Sequence, residues 1–107
     1  MTNSHHRSSS RATADIRVYG LVQGVGFRPT VWRWANELGL TGEVLNDGGG
    51  LVIRAAGAPE AIAALLHRLS SEAPRLARIE AVKTAPWRPA ALPRDFRIGA
   101  SQPGKIY

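Results

Sequence analysis

The chain contains no cysteine, so disulfides, thiolate chemistry and a zinc site built on sulfur are all excluded. It has no apolar run near the roughly 18 residues that suggest a membrane-crossing helix. Met1 to Ala14 are rich in Ser and Thr and carry His5, His6, Arg7 and Arg11, but lack the apolar stretch of a secretory signal. They read as a disordered leader, and a reducing, cytoplasmic setting is compatible with the whole. A chain of 107 residues has room for one small domain.

The net charge of +6 raises the question of nucleic acid. Its distribution argues against it. Arg7, Arg11 and Lys105 lie in the tails, and between Asp15 and Ala100 there remain 11 basic against 8 acidic residues. A ferredoxin-like RNA binder stacks bases on sheet aromatics, yet the central strand candidate, Leu51-Val52-Ile53-Arg54, contains none. Trp34 belongs to an apolar helix face, and Trp32 and Trp87 are read as packing residues. His67 is expected to be an exposed helix residue, and no spacing of His or carboxylates suits a metal. Glu37, Glu43 and Glu80 are expected to be solvated charges.

What is present is a regular alternation of short elements. Asp15 to Val22 reads as a first strand, and Val31, Trp34, Ala35 and Leu38 mark one face of a helix from about Pro29 to Leu38, with Gly39 as its stop. Thr41–Leu45 and Leu51–Ala55 are strands joined by Asn46-Asp47-Gly48-Gly49-Gly50, a hairpin sequence. Pro59 opens a second helix with a stripe of Ile62, Leu65, Leu66 and Leu69 that ends before Pro74. Ile79–Thr84 forms a further strand, Phe96–Ile98 a short extra one, and Pro86 to Pro93 a loop between them. The order predicts an α+β fold: a ferredoxin-like βαββαβ sandwich with two helices on one face of an antiparallel sheet.

The chemistry is concentrated in Gly20-Leu21-Val22-Gln23-Gly24-Val25-Gly26-Phe27-Arg28. Glycines between a strand and a helix let successive N–H groups converge, and the helix adds the positive end of its dipole, which suits a phosphate-sized anion. The turn lacks the Lys-Ser/Thr of a nucleotide P-loop. The chain is too short for a dinucleotide fold. Arg28 at the rim offers a planar guanidinium that can grip two phosphate oxygens together.

This run from Val18 to Arg28 resembles the acylphosphatase signature, and the resemblance extends to Asn46 and to the element order from about Asp15 to Ala100. It implies that Arg28 and Asn46 are the catalytic residues, Asn46 positioning a water, and that Gln23, Gly24, Val25, Gly26, Phe27 and Arg28 hold the phosphate. Pro29, the Asn46 to Gly50 hairpin and the ending Phe96-Arg97-Ile98-Gly99-Ala100-Ser101 look like the N-terminal domain of the hydrogenase-maturation carbamoyltransferases. The implied substrates are acyl phosphates or carbamoyl phosphate, split by water attack on phosphorus without metal or cofactor. The implied organisation is a leader over residues 1–14, an acylphosphatase-like domain over 15–100 and a tail over 101–107. A monomer is expected, with other domains of a larger carbamoyltransferase as partners. A phosphate-binding module without turnover, and a nucleic-acid-binding ferredoxin-like domain, are the competing readings.

Overall fold

The computed structural model describes residues 11–22, 25–75 and 77–99. The elements are β1 (Ala12–Leu21), α1 (Phe27–Glu37), β2 (Thr41–Asp47), β3 (Gly50–Gly57), α2 (Pro59–Ser71), β4 (Arg78–Ala85) and β5 (Phe96–Ile98). They form a five-stranded sheet in the order β4-β1-β3-β2-β5. The first four strands pair antiparallel, so β1 and β2 run the same way on either side of β3. Two βα units are thereby interleaved, as in the ferredoxin-like arrangement.

The extra strand departs from the expected antiparallel sheet, because β5 lies parallel to β2 with Gly42 opposite Phe96 and Val44 opposite Ile98. The sheet is therefore mixed. Trp32 on α1 reinforces this edge by donating its indole N–H to the Phe96 carbonyl oxygen at 3.0 Å. Backbone bonds Gly42 N–H to Asp95 O and Gly99 N–H to Val44 O, at 2.8 and 2.7 Å, close it at both ends.

Alternation along the strands decides what faces the helices. Ile16 and Val18 of β1, Leu51, Ile53 and Ala55 of β3, and Val44 of β2 meet Val31, Trp34 and Ala35 of α1 and Ile62, Leu65 and Leu69 of α2 in one core. Full burial of each large aliphatic side chain is worth about 1.5–3 kcal/mol, which makes this layer the dominant stabilising contact. The second-helix stripe is as expected, with Leu66 at its half-buried edge. Helix α1 ends in a Schellman motif: Leu40 N–H reaches the Ala35 carbonyl and Gly39 N–H the Asn36 carbonyl, at 2.8 and 3.2 Å.

Several boundaries moved. β2 runs on to Asp47 and β3 begins at Gly50, so Asn46 and Asp47, expected in the hairpin turn, are paired strand residues and the turn narrows to Gly48 and Gly49, because the ladder register continues past the last apolar residue of β2. β1 begins at Ala12 rather than Asp15, since Ala12, Thr13 and Ala14 pair with Gly57, Ala56 and Ala55; Ala12 to Ala14 therefore belong to the sheet and not to the leader. Backbone pairing needs no side-chain pattern, so this stretch carried no strand signal. Helix α1 begins at Phe27, two residues before Pro29, because the Phe27 ring is core at 2% exposure and draws the first turn onto the sheet.

Candidate active site at the β1–α1 turn and the end of β2

The turn and Asn46 follow from two strands on either side of β3 and lie toward the same end of the sheet. β1 and β2 are parallel, so the exit of β1, the start of α1 and the end of β2 all lie on that side. Asn46 is paired with Leu51, and Leu51 with Val18. Cross-strand partners share a face, so the Asn46 side chain stands on the helix-covered face with core residues as its row. Its Oδ1 is buried and has no hydrogen-bond partner among the described residues. Most buried polar atoms are satisfied, and an exception calls for an explanation.

At the turn, Gly26 is the residue before α1 and adopts a left-handed conformation, φ 77° and ψ 19°. A left-handed residue followed by a right-handed helical one aims consecutive amides into a common concavity, and only glycine does this at no steric cost. Helix α1 has no side-chain cap and no acidic residue in its first turn, so no carboxylate of that turn offsets the positive end of the helix dipole. Pro29 carries no N–H. The amide donors of the first three helical residues are thus those of Phe27 and Arg28.

Of the expected cradle, Val25, Gly26, Phe27 and Arg28 are arranged around this turn, while Gln23 and Gly24 lie outside the described residues. Phe27 offers only its backbone, its ring being core. Arg28 is half-buried in the first turn of α1.

Between Tyr19 and Gly20 the β1–β4 ladder shifts register, with Glu80 of β4 as the extra residue. Gly20 has φ 128°, and a Cβ there would stand 2.1 Å from the Arg78 carbonyl oxygen, so no other residue fits.

The opposite face of the sheet holds the end of β2 in place. Asp15 accepts Arg17 Nε at 2.9 Å and Arg54 Nε at 3.2 Å. Arg54 Nη1 continues to Glu43 Oε2 at 3.1 Å, and Arg17 Nη1 reaches Asp47 Oδ2 at 3.6 Å. Partial burial works against ionisation of Asp15, but its bonds with Arg17 and Arg54 outweigh that and hold its carboxyl below the usual range. The residue after Asn46 is thus tied through Arg17 and Asp15 to the strand that leads into the turn.

Several smaller expectations meet the coordinates here. Glu43 and Glu37 are ion-paired rather than simply solvated, Glu37 with Arg68 Nη1 at 2.6 Å; the partners lie 11 and 31 residues away, beyond any local pattern. His67 is exposed, and among the described residues no group of three or more His, Asp or Glu could hold a metal. Among the described residues no helix is long and apolar enough to cross a membrane. Thr30, which had no place in the expected site, donates its hydroxyl to the Gly26 carbonyl at 2.9 Å; the Gly-x-x-x-Thr spacing at a helix start was the available signal. A cavity of about 460 Å³ lies elsewhere, between Trp87, Leu92 and Arg94 of the β4–β5 connection and Glu43 and Arg97 at the sheet edge.

The acylphosphatase family model covers residues 14–98. The carbamoyltransferase HypF2 of Cupriavidus necator is 55% identical over 67 residues, which are 63% of this chain and 8% of that protein. An acylphosphatase of Yersinia pseudotuberculosis is 42% identical over 73 residues, 67% of this chain and 79% of that one. Among solved structures, full-length HypF in a phosphate- and nucleotide-bound form superposes with a TM-score of 0.83 at 30% identity, over 91% of this chain and 13% of that chain. The chain thus spans about a tenth of the carbamoyltransferases it matches and most of the length of the small acylphosphatase. On the strength of the family model, the small enzyme and the shared fold, the chain belongs to the acylphosphatase family.

Proposed function

We propose that the chain hydrolyses the carboxyl–phosphate bond of acyl phosphates by direct attack of water on phosphorus. The observation that carries this reading is Asn46 Oδ1, buried and without a hydrogen-bond partner among the described residues, at the end of the sheet where the Gly26 turn opens. The side chain carries both an acceptor oxygen and a donor N–H₂, and the residue as a whole is only half-buried, so its amide can orient a water at the mouth of the turn. Asn46 is neutral and no strong base. Its part is to hold the water in line.

In the reaction the water oxygen forms a bond to phosphorus while the bond from phosphorus to the acyl oxygen breaks. The leaving group is a carboxylate, which needs no proton to depart, and the proton of the water passes to a phosphate oxygen of the substrate. What remains for the protein is positioning and charge stabilisation. The Arg28 guanidinium and the amides from Gln23 to Arg28 supply the latter, and no step calls for a metal or a covalent nucleophile.

The likeness to carbamoyltransferases supports carbamoyl phosphate as a second substrate, split to carbamate and phosphate by the same attack. In that setting the unit would work beside other domains of a larger carbamoyltransferase; alone it would act as a monomer, and a cytoplasmic location suits both. Phosphate release from benzoyl phosphate and carbamoyl phosphate by the full chain, beside Arg28→Ala, is the test. Turnover that collapses in the variant supports the reading. Phosphate binding without turnover would make the chain an anion-binding module.

A further inference from the structure

The Gly26 carbonyl oxygen accepts two hydrogen bonds from one residue: the Thr30 N–H at 3.3 Å and the Thr30 hydroxyl at 2.9 Å. The first is long for a backbone bond, whose usual length is about 2.9–3.0 Å. The hydroxyl bond is the shorter of the two. We infer that Thr30 is a positioning residue for the anion cradle, its hydroxyl holding the Gly26–Phe27 peptide in the orientation that turns the Phe27 N–H toward the bound phosphate. The inference rests on the acyl-phosphate reading above.

The argument is one of peptide geometry. A trans peptide is planar, with its C=O and N–H pointing in opposite directions. With the Gly26 carbonyl drawn along α1 toward Thr30, the Phe27 N–H must point back out of the helix, into the turn. Gly26 sits at φ 77°, and a glycine tolerates several values of ψ with little cost, so the backbone before this peptide resists a flip weakly. A flip would aim a carbonyl dipole at the anion. Thr30 opposes it from a side chain whose β-branch restricts χ1 and whose hydroxyl readily bonds the carbonyl one turn back.

There is a second effect in the same direction. A carbonyl that accepts two bonds is more polarised, and its peptide N–H becomes a better donor through the chain of bonds. Because Pro29 contributes no N–H to the first turn, the quality of the Phe27 and Arg28 donors weighs more. Thr30 itself touches no substrate in this scheme.

The test compares wild type, Thr30→Val, Thr30→Ala and Thr30→Ser in the full chain. Affinity for inorganic phosphate is measured by calorimetry and as competitive inhibition of benzoyl phosphate hydrolysis. Both Val and Ala variants are expected to bind phosphate about 3- to 10-fold more weakly, and Ser to stay within about twofold of wild type, the scale of one hydrogen bond. Rescue by Ser separates the hydroxyl from the methyl, which a merely structural role would not do. Unchanged phosphate affinity in Val and Ala, or a Ser variant as weak as Val, overturns the assignment while leaving the hydrolase reading intact. A wild type that neither binds phosphate nor turns over removes both.

Discussion

Asn46 stands opposite Leu51 across the β2–β3 ladder, a polar amide in a row that is otherwise core. Leu51 is 1% exposed and Val18, the next residue in that row, is fully buried. Among the described residues its Oδ1 has no partner, and a buried acceptor without a hydrogen bond forfeits about 1–3 kcal/mol. Such a cost is expected where function requires it.

Asn46→Ala should therefore separate stability from activity. Turnover of benzoyl phosphate is expected to fall by at least about 10-fold, the scale of a lost water-positioning contact. The thermal midpoint should stay level or rise, because the orphan acceptor is gone. A parallel loss of both quantities in a thermal melt and a phosphate-release assay would speak for a purely structural asparagine.

Arg28→Lys is not a conservative change at this site. A lysine retains the charge but presents a point donor instead of a planar fork, so kcat/KM should fall about 100-fold, as expected when a donor to developing charge is lost. Steady-state kinetics on Arg28→Lys and Arg28→Ala give the measurement, and near-wild-type turnover of the lysine variant would rule out bidentate binding.

Gly20→Ala puts a Cβ against the Arg78 carbonyl oxygen at a φ of 128°, where L side chains are strained. β4 must move away from β1 to admit it. A destabilisation of about 2–4 kcal/mol is expected, read as a lower urea midpoint, together with weaker phosphate binding because β1 leads directly into the turn.

The carboxyl of Asp15 is held below its ordinary value of 3.8, its bonds with Arg17 and Arg54 prevailing over the opposing effect of burial. A depressed carboxyl contributes stability that is fully present above its unfolded pKa, and that contribution is lost as pH falls through the lower folded value. Stability should hence be level with respect to Asp15 above about pH 5 and decline below about pH 4. Asp15→Asn should flatten that acid limb and cost about 1 kcal/mol at neutral pH, a modest figure since both arginines are partly exposed. Urea titrations at several pH values provide the check.

Trp32→Phe removes the N–H that binds the Phe96 carbonyl and keeps most of the apolar surface. A loss of about 1 kcal/mol is expected, with kcat within about twofold of wild type, since β5 lies on the far side of β2 from β1. Chemical denaturation and steady-state assays would register each effect.

Helix stripes, the hairpin, the strand order in the chain and the glycine turn were all legible from residues close together in sequence, because periodicity and turn chemistry are local properties. Val31, Trp34 and Ala35 announce a helix face whatever they pack against. Other features had no local sign. The start of β1 at Ala12 depends on pairing with Gly57, and the parallel docking of β5 depends on Trp32, 64 residues away from Phe96. Asp15 and Arg54 are 39 residues apart, and nothing in the spacing announces their ion pair.

By itself, then, the sequence determined that a glycine turn with Arg28 lies between a strand and a helix, and that a hairpin turns back close to Asn46. Those are statements about neighbours in the chain, where short-range sterics decide. Only the tertiary structure decided that Asn46 lies on the helix-covered face with its oxygen buried, that the turn and the end of β2 share one side of the sheet, and that Thr30 braces the Gly26 carbonyl. The first two are set by register and strand order, which depend on contacts distant in sequence; the third needed the left-handed Gly26 at the head of a helix that starts earlier than its own pattern suggested.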